Sequence, residues 1–442
     1  MAKALSILGL MNLSFLLGAL IICLRIPPAG FIMDAYIGIH TYFHRKAEIE
    51  KELSAQIPGR SPNHYDKIDI PSKTYNGYTL SLQAPGDHIV RLYDMKGDAI
   101  HTWNTAYSHV WKDRDRSHID GIADDSIIYP FFAYLFPNGD LVVTYHGQGN
   151  GVSNGYGMAK IDKDSNTLWI YSANCHHDLD VAEDGKIYGL QQRHIRKSLK
   201  GLEFLSNPCM VDDLVILSPD GQMERVIPII ETLRDSPYGA MLAKLELPYL
   251  RGVQMPTGYD DDEKRRDVMH TNHVQILTKA LAPKFPMFKA GQVMLSMRHL
   301  DMICVFDVDG EKPQCVWAAR GPWKEQHDPE FLDNGRILLF DNRLGEKASR
   351  VIEFDPVTQA MPWCFWGGKD WPLYTFERGD SQRLPNGNTF IASTHGRVML
   401  EVTPDKKVVW QLPLKNDVNY ARRFGPDQLT FIDKKEHPPR PR

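Results

Sequence analysis

The sequence predicts an all-β fold, a six-bladed β-propeller, preceded by an N-terminal transmembrane helix and a juxtamembrane helix. Two observations carry the propeller and a third carries the anchor. His327–Trp363 reads as one blade: a strand (PEFL), a tight turn (DNG), a returning strand (RILLF), a polar loop, a third strand (RVIEFD) and a fourth ending in Trp363. The pattern repeats at once from Arg383 to Trp410, so Trp363 and Trp410 stand one blade apart. Its outer half recurs as LYDMKGDAIHTW (92–103), AKIDKDSNTLW (159–169), VILSPDGQMERVI (215–227) and ICVFDVDGEKPQCVW (303–317), which brings the blades to six. Short strands rich in β-formers, separated by Asp, Asn, Gly and Pro turns at a fixed period, mark a radial repeat. The third observation is Ala4–Leu24, an uncharged apolar run long enough to cross a hydrocarbon core of roughly 30 Å.

Taken in order, residues 1–30 are expected to form the anchor. A cleaved signal peptide is the rival reading, but no small-x-small cleavage pattern precedes Pro27, Pro28 and Gly30. Lys3 before the helix and Arg25 after it give a weak charge asymmetry, and the bulk of the chain is expected on the exported side of an inner membrane, facing the periplasm. Residues 31–73 comprise a stretch that turns from apolar to dense in Lys and Glu (31–57), followed by the linker PGRSPNHYDKIDIPSK. The stretch reads as a juxtamembrane stalk or interfacial helix, and residues 1–57 are the surface through which a protein partner would dock. Residues 74–442 are assigned to the propeller, with an insertion at 228–269 expected to form a helix and loop at the edge of the funnel.

Composition agrees with one large repeat domain. Of 442 residues, 43% are hydrophobic and 24% charged, ample for a core. A net charge of -4 gives no general attraction for nucleic acid, so a basic site has to be local. The six cysteines have no metal-ligand spacing. Cys304 and Cys315 are equidistant from the turn at Asp309 and Gly310, so a hairpin is expected to set them opposite each other, either as a cross-strand disulfide or as two small apolar residues.

The chemistry follows from register. His327 and Arg343 lie equally far before and after Gly335, and His177 and Arg193 equally far about Gly185; His395 occupies in the last blade the place of Arg343, and Arg298 and His299 follow Gly291 at nearly the same distance. Several blades thus place His or Arg at one end of their inner hairpins, where a propeller's axis gathers them into a cationic funnel mouth. Arg offers a planar fork for sulfate, phosphate or carboxylate oxygens, and His can donate, exchange protons or attack. His176, His177, Asp178 and Asp180 compete as metal ligands, but neighbours on a strand point to opposite faces, and no metal is expected.

HHDLDVAEDGKIY, DVMHTNHVQIL, GQVMLSMRHLDMICVFD, GPWKEQHDPEFLDNGRILLFDNR, SRVIEFDPVT and QRLPNGNTFIASTHGRVMLEVTPDKKVVW resemble successive blades of the bacterial arylsulfotransferase family, over roughly residues 75–415. The resemblance implies transfer of a sulfuryl group from a phenolic sulfate ester to a phenolic acceptor, through a sulfohistidine, with neither a nucleotide donor nor a metal or other cofactor. Residue by residue, it implies His395 as nucleophile and His270, His327 and Arg343 as its catalytic partners, with Arg350 as rival to Arg343 and His273 as rival to His270. His177, Arg193, Arg298 and His299 are the expected substrate-binding residues, and Tyr129, Phe131 and Trp323 are candidates to stack on a phenol. The apparent anchor and the absence of a large β-domain before the propeller depart from the soluble periplasmic members. The alternative is non-catalytic: a membrane-anchored propeller serving as scaffold or partner subunit in a larger membrane complex.

Overall fold

The computed structural model describes residues 67–84, 87–112, 123–147, 155–205, 209–246, 267–343, 348–368 and 371–439. All of them belong to one unit of the chain, 62–246 with 259–442; the other unit, 1–61 with 247–258, lies outside the described residues. The expected transmembrane anchor and juxtamembrane helix therefore lie outside them too. Among the described residues no helix is long and apolar enough to cross a membrane.

Six antiparallel sheets of four strands or more form the blades. Blade 1 takes Tyr78–Ala84, Ile89–Tyr93 and Ala99–Asn104 from the start of the propeller and its innermost strand, Asp417–Phe424, from the end. Blade 2 runs Ile128–Leu135, Leu141–Gly147, Gly155–Ile161, Thr167–Tyr171, and blade 3 runs Cys175–Val181, Ile187–Ile195, Cys209–Leu217, Met223–Pro228. Blade 4 is Thr271–Ile276, Val293–Met297, Met302–Asp307, Gln314–Arg320, and blade 5 is His327–Phe331, Ile337–Asp341, Arg350–Phe354, Trp363–Phe365. Blade 6, Asp380–Arg383, Thr389–Ser393, Val398–Val402 and Val408–Pro413, gains Ile68–Asp69 as a fifth strand on its outer edge. All six expected outer hairpins are present.

The ring closes because the last strand pairs with the first, Tyr78 opposite Phe424 through to Ala84 opposite Asp417. A buried arginine fastens this seam. Arg423 donates to Thr79 Oγ1 (2.6 Å) and the Tyr75 carbonyl (2.9 Å), lies 3.4 Å from the Glu401 carboxylate, and stacks over Trp410.

The periodic tryptophans have a mechanical reason. Four of them sit on fourth strands and donate the indole N–H to a turn carbonyl of the next blade: Trp103 to Gly139, Trp169 to Pro219, Trp363 to Pro404, and Trp410 to Met95. A second device joins the blades at the axis. Inner strands have unpaired edges there, and exposed backbone N–H groups must find acceptors. Side chains of one blade supply them to the next. Asp180 accepts from the N–H of Ile276 (2.8 Å), Gln275 from Phe331 (2.7 Å), Asp328 from Ser381 (2.6 Å), Glu330 from Arg383 (2.9 Å), Asp380 from Ala421 (3.0 Å) and Gln382 from Arg423 (2.8 Å). The alternate spacing follows from side chains repeating every two residues on one face of a strand.

One expectation is corrected. A bulge between Val305 and Phe306 shifts the outer hairpin of blade 4, so Cys304 faces Ala318 and Cys315 faces Phe306 rather than each other; the two remain hydrogen-bonded neighbours as buried free thiols, the small apolar pair of the two expected readings. Within the 228–269 insertion the described residues include a helix at Ile229–Arg234 and a 3-10 turn at Gly239–Glu246, which pack against blades 3 and 4.

Candidate active site

Side chains from blades 2 to 6 meet at one end of the axis. Phe131 lies flat on His146, with ring centroids 3.6 Å apart and 7° between planes. His146 touches His177 (4.8 Å), His177 touches His270 (4.7 Å), and His270 touches His299 (4.9 Å). From the other side the Arg378 guanidinium sits 4.9 Å over Phe131 while its backbone N–H donates to His327 Nε2 at 3.2 Å. His177, His270, Glu325, Arg343 and Arg378 all have φ between 52° and 61°, the left-handed region that side chains avoid unless the fold requires it. The rim is therefore held under backbone strain where its functional groups converge.

Hydrogen bonds settle the tautomers. His327 Nδ1 lies 2.7 Å from Asn342 Oδ1 and 3.0 Å from the Glu325 carbonyl, both acceptors, so Nδ1 carries the proton and Nε2 accepts from Arg378. His146 Nε2 accepts from the His177 backbone N–H at 2.8 Å, which leaves its proton on Nδ1. His270 donates both its backbone N–H (2.9 Å) and its Nδ1–H (2.6 Å) to Asp267. His176 and His177 meet Nδ1 to Nδ1 at 2.7 Å, and His176 Nε2 lies 3.3 Å from Asp212.

His395 is held apart from this ring by its own set of bonds. The Thr375 hydroxyl donates to the Glu377 carbonyl (2.8 Å), so it can only accept from His395 Nδ1, 2.6 Å away. Phe376 covers the face of the imidazole at 3.8 Å. Thr375 is itself fixed: its N–H donates to Ser349 Oγ (3.0 Å), and its carbonyl accepts from Asn342 Nδ2 (3.2 Å). Asn342 thereby ties His327 to the support of His395. The outcome is a neutral imidazole whose Nε2 presents a lone pair.

The charge of the mouth differs from expectation. Burial, reinforced by neighbouring His270 and His146, pushes His177 well below the ordinary imidazole range. Burial and the Arg298 charge do the same to His327, and burial with His176 and Arg378 to His146. These imidazoles are neutral near pH 7. Arg298 is paired with Glu325, and Arg343 lies 3.8 Å from Asp341 and 5.0 Å over Trp366. Much of the expected cationic funnel is thus a ring of lone pairs and N–H groups, with the Arg378 guanidinium over Phe131 beside it.

Of the expected residues, His177, His270, His299 and His327 come together, with Arg298 behind His299 and His395 beside Arg378 and Glu377. Arg343 lies at the rim over Trp366, while its rival Arg350 is buried and bonded to Asp341 (2.7 Å). Arg193 does not join them: it makes ion pairs with Asp213 and Glu231 and so pins the Ile229–Arg234 helix to blade 3. Trp323 is buried in the core of blade 5 against Phe354 and cannot stack on a ligand. Phe131 is at the mouth, and Tyr129 lies 6.2 Å from His146. His273 is deeper in the axis, its Nδ1 2.5 Å from Asp178. The residues that sequence reasoning missed are His146, Asp267, Asn342, Thr375 and Arg378. Asn342 was in view as part of FDN beside a candidate arginine.

Adjacent strand residues were expected not to converge, yet His176 and His177 touch. The pairing jumps from Gly189–Leu179 to Leu190–His176, so His177 and Asp178 form a bulge that rotates His177 into the mouth. A different group could hold a metal: one donor atom each of Asp267, His270 and His299 lie within 4.8 Å of one another. Below the ring, His177, His273, Asp178, Asp328, Asp380 and Asn419 line a cavity of about 40 Å³, room for a few waters.

The arylsulfotransferase (ASST) family model matches residues 133–416, from the inner strand of blade 2 into the last blade. No curated protein matches significantly. Among solved structures, virginiamycin B lyase from Staphylococcus aureus with quinupristin has 9% identity and a TM-score of 0.36 over 67% of this chain and 74% of that one. The periplasmic gluconolactonase PpgL of Pseudomonas aeruginosa has 11% identity and 0.39 over 79% and 99%. Apo AztD from Citrobacter koseri has 7% identity and 0.38 over 79% and 98%. At such scores and identities these likenesses carry no argument.

Proposed function

The chain belongs to the arylsulfotransferase family, and we propose on that premise that it transfers a sulfuryl group from a phenolic sulfate ester to a phenolic acceptor, with His395 as nucleophile. The observation that carries this reading is the support beneath His395. Thr375 Oγ1, its own proton committed to the Glu377 carbonyl, holds the Nδ1–H and leaves the Nε2 lone pair for attack.

In the first half-reaction His395 Nε2 attacks sulfur, an N–S bond forms and the S–O bond to the aryl group breaks. The aryl group departs as the aryloxide anion and is protonated by solvent. In the second, a phenol oxygen attacks the same sulfur, the N–S bond breaks, and the phenol's proton goes to a base. His177 suits the second proton transfer. With His176 Nε2 facing Asp212, the proton shared at 2.7 Å belongs on His177 Nδ1, and the lone pair of the other ring nitrogen is assigned as the base that takes the acceptor phenol's proton. Arg378 and Arg343 are assigned to the sulfuryl oxygens, where negative charge gathers during transfer. His327 and His270 are assigned to the same oxygens. Binding an anion favours the protonated imidazole, so His327 is expected to take up a proton with the substrate.

We further propose that the propeller is tethered by residues 4–24 and faces the periplasm. The support is the uncharged length of that run. The reading is tested by steady-state kinetics of the full-length chain with an aryl sulfate and a phenol. Parallel double-reciprocal lines and phenol release are expected; no release from a range of aryl sulfates would favour the non-catalytic scaffold.

A further inference from the structure

We propose that Asp267, His270 and His299, on the rim of blade 4, form a binding site for a divalent first-row transition-metal ion. The inference goes beyond sulfuryl transfer and stands on geometry.

The ligands come from two segments zipped together by backbone bonds. The Arg298 N–H donates to the His270 carbonyl and the His299 N–H to the Met269 carbonyl, both at 3.0 Å. That fixes the two imidazoles 4.9 Å apart with their planes inclined by only 34°. Asp267 is placed by Met210, whose carbonyl accepts the next residue's N–H and with which Asp267 forms a parallel bridge. The site is thus assembled before any ion arrives.

One carboxylate and two imidazoles are the donor set that first-row divalent ions take in facial sites with open positions. The Asp267 Oδ2 to His270 Nδ1 distance is 2.6 Å, spanned by one proton. An ion bound to both at about 2.1 Å from each would set them roughly 3.0 to 3.4 Å apart, so exchange of the proton for the ion asks for less than about 1 Å of movement. His270 holds a φ of 52° to keep its ring beside the carboxylate, a strain that a merely space-filling histidine has no reason to bear. Around the set lie the outer contacts that orient metal ligands. Asp267 Oδ1 accepts the His270 backbone N–H at 2.9 Å, and His299 Nδ1–H donates to the Asp267 carbonyl at 3.0 Å, which leaves Nε2 as the ligating nitrogen; there an ion takes the place of the Arg298 N–H, 3.2 Å away. Because Arg298 is already paired with Glu325, an ion here would also add positive charge to a mouth whose other imidazoles are neutral.

The test uses the full-length chain, purified without chelator or polyhistidine tag. The chain is stripped by dialysis against a chelator and titrated with Co2+, followed by its visible absorption and by elemental analysis. Saturable, stoichiometric binding is expected, weakened at least about 100-fold in Asp267→Asn and in His299→Gln, since loss of mere outer contacts already costs 10- to 100-fold. His395 is not one of the three ligands, and His395→Ala, which removes the proposed nucleophile, is expected to bind Co2+ as the wild type does, so a failure of sulfuryl transfer leaves this result readable. His299→Gln serves as a second arm should Asp267→Asn unfold. No saturable binding in the micromolar range, or binding undiminished in both variants, would overturn the site.

Discussion

The Nδ1 of His395 lies 2.6 Å from Thr375 Oγ1, and the Thr375 proton is already spent on the Glu377 carbonyl. This one relationship decides which imidazole nitrogen can attack, because a threonine with a free proton could have served either tautomer. Asn342 extends the arrangement to His327, bonding its Nδ1 at 2.7 Å. The two histidines of blades 5 and 6 are therefore set by one connected network.

Thr375→Val keeps the shape and removes the acceptor. Loss of an orienting hydrogen bond to a group that charges during reaction costs about 1.5–3 kcal/mol, or roughly 10- to 100-fold in kcat/KM. Thr375→Ser keeps the oxygen and is expected to retain most of the activity. Steady-state kinetics with an aryl sulfate compares the two; equal losses would mean that Thr375 merely packs.

The pH profile follows from the surroundings of His395. Burial lowers its pKa, and the Glu377 carboxylate works against that. The attacking form is neutral, so activity is expected to fall only as pH drops through this lowered pKa, below the ordinary imidazole range. Glu377→Gln removes the charge that favours the imidazolium, and the acidic limb of kcat/KM is expected to move to lower pH. A shift to higher pH would contradict the placement.

Closure of the ring predicts a stability effect far from the mouth. Arg423→Met strips the buried Glu401 carboxylate of its charge partner and is expected to destabilise by about 3–5 kcal/mol. Urea unfolding measures it, and a change within experimental scatter would show that the seam is held by strand pairing alone.

The indole staples predict a smaller effect. Trp103→Phe keeps a buried ring but leaves the Gly139 carbonyl without its 2.9 Å donor, at a cost of about 1–3 kcal/mol. Trp169→Phe, whose bond to Pro219 is longer at 3.2 Å and exposed, is expected to cost less. Thermal unfolding of the pair checks the order.

The blades were legible because Trp363 and Trp410, and the turns between their strands, recur at a period that the ring imposes. The D-x-D, D-x-E and D-x-Q pairs of the inner strands were on view as well, but their meaning depends on a neighbouring blade's edge that no linear pattern displays. The site was partly legible. His177, His270, His327 and His395 could be placed at one end by counting from the turns. Arg193 could not, because its ion-pair partners, Asp213 on the neighbouring strand and Glu231 in the inserted helix, hold its guanidinium away from the others. Arg378 sits in an irregular segment with φ of 61°, where no periodicity points to the axis. Nor could counting reveal that burial would leave His177 and His327 neutral, since that depends on what surrounds each ring.

The most direct test is the intact mass of the full-length protein after brief exposure to an aryl sulfate without acceptor, beside His395→Ala. The account predicts one added sulfuryl group on the wild type, released by a phenol, and none on the variant. An adduct of the same extent on His395→Ala, or none on a wild type that still releases phenol, would contradict His395 as the nucleophile.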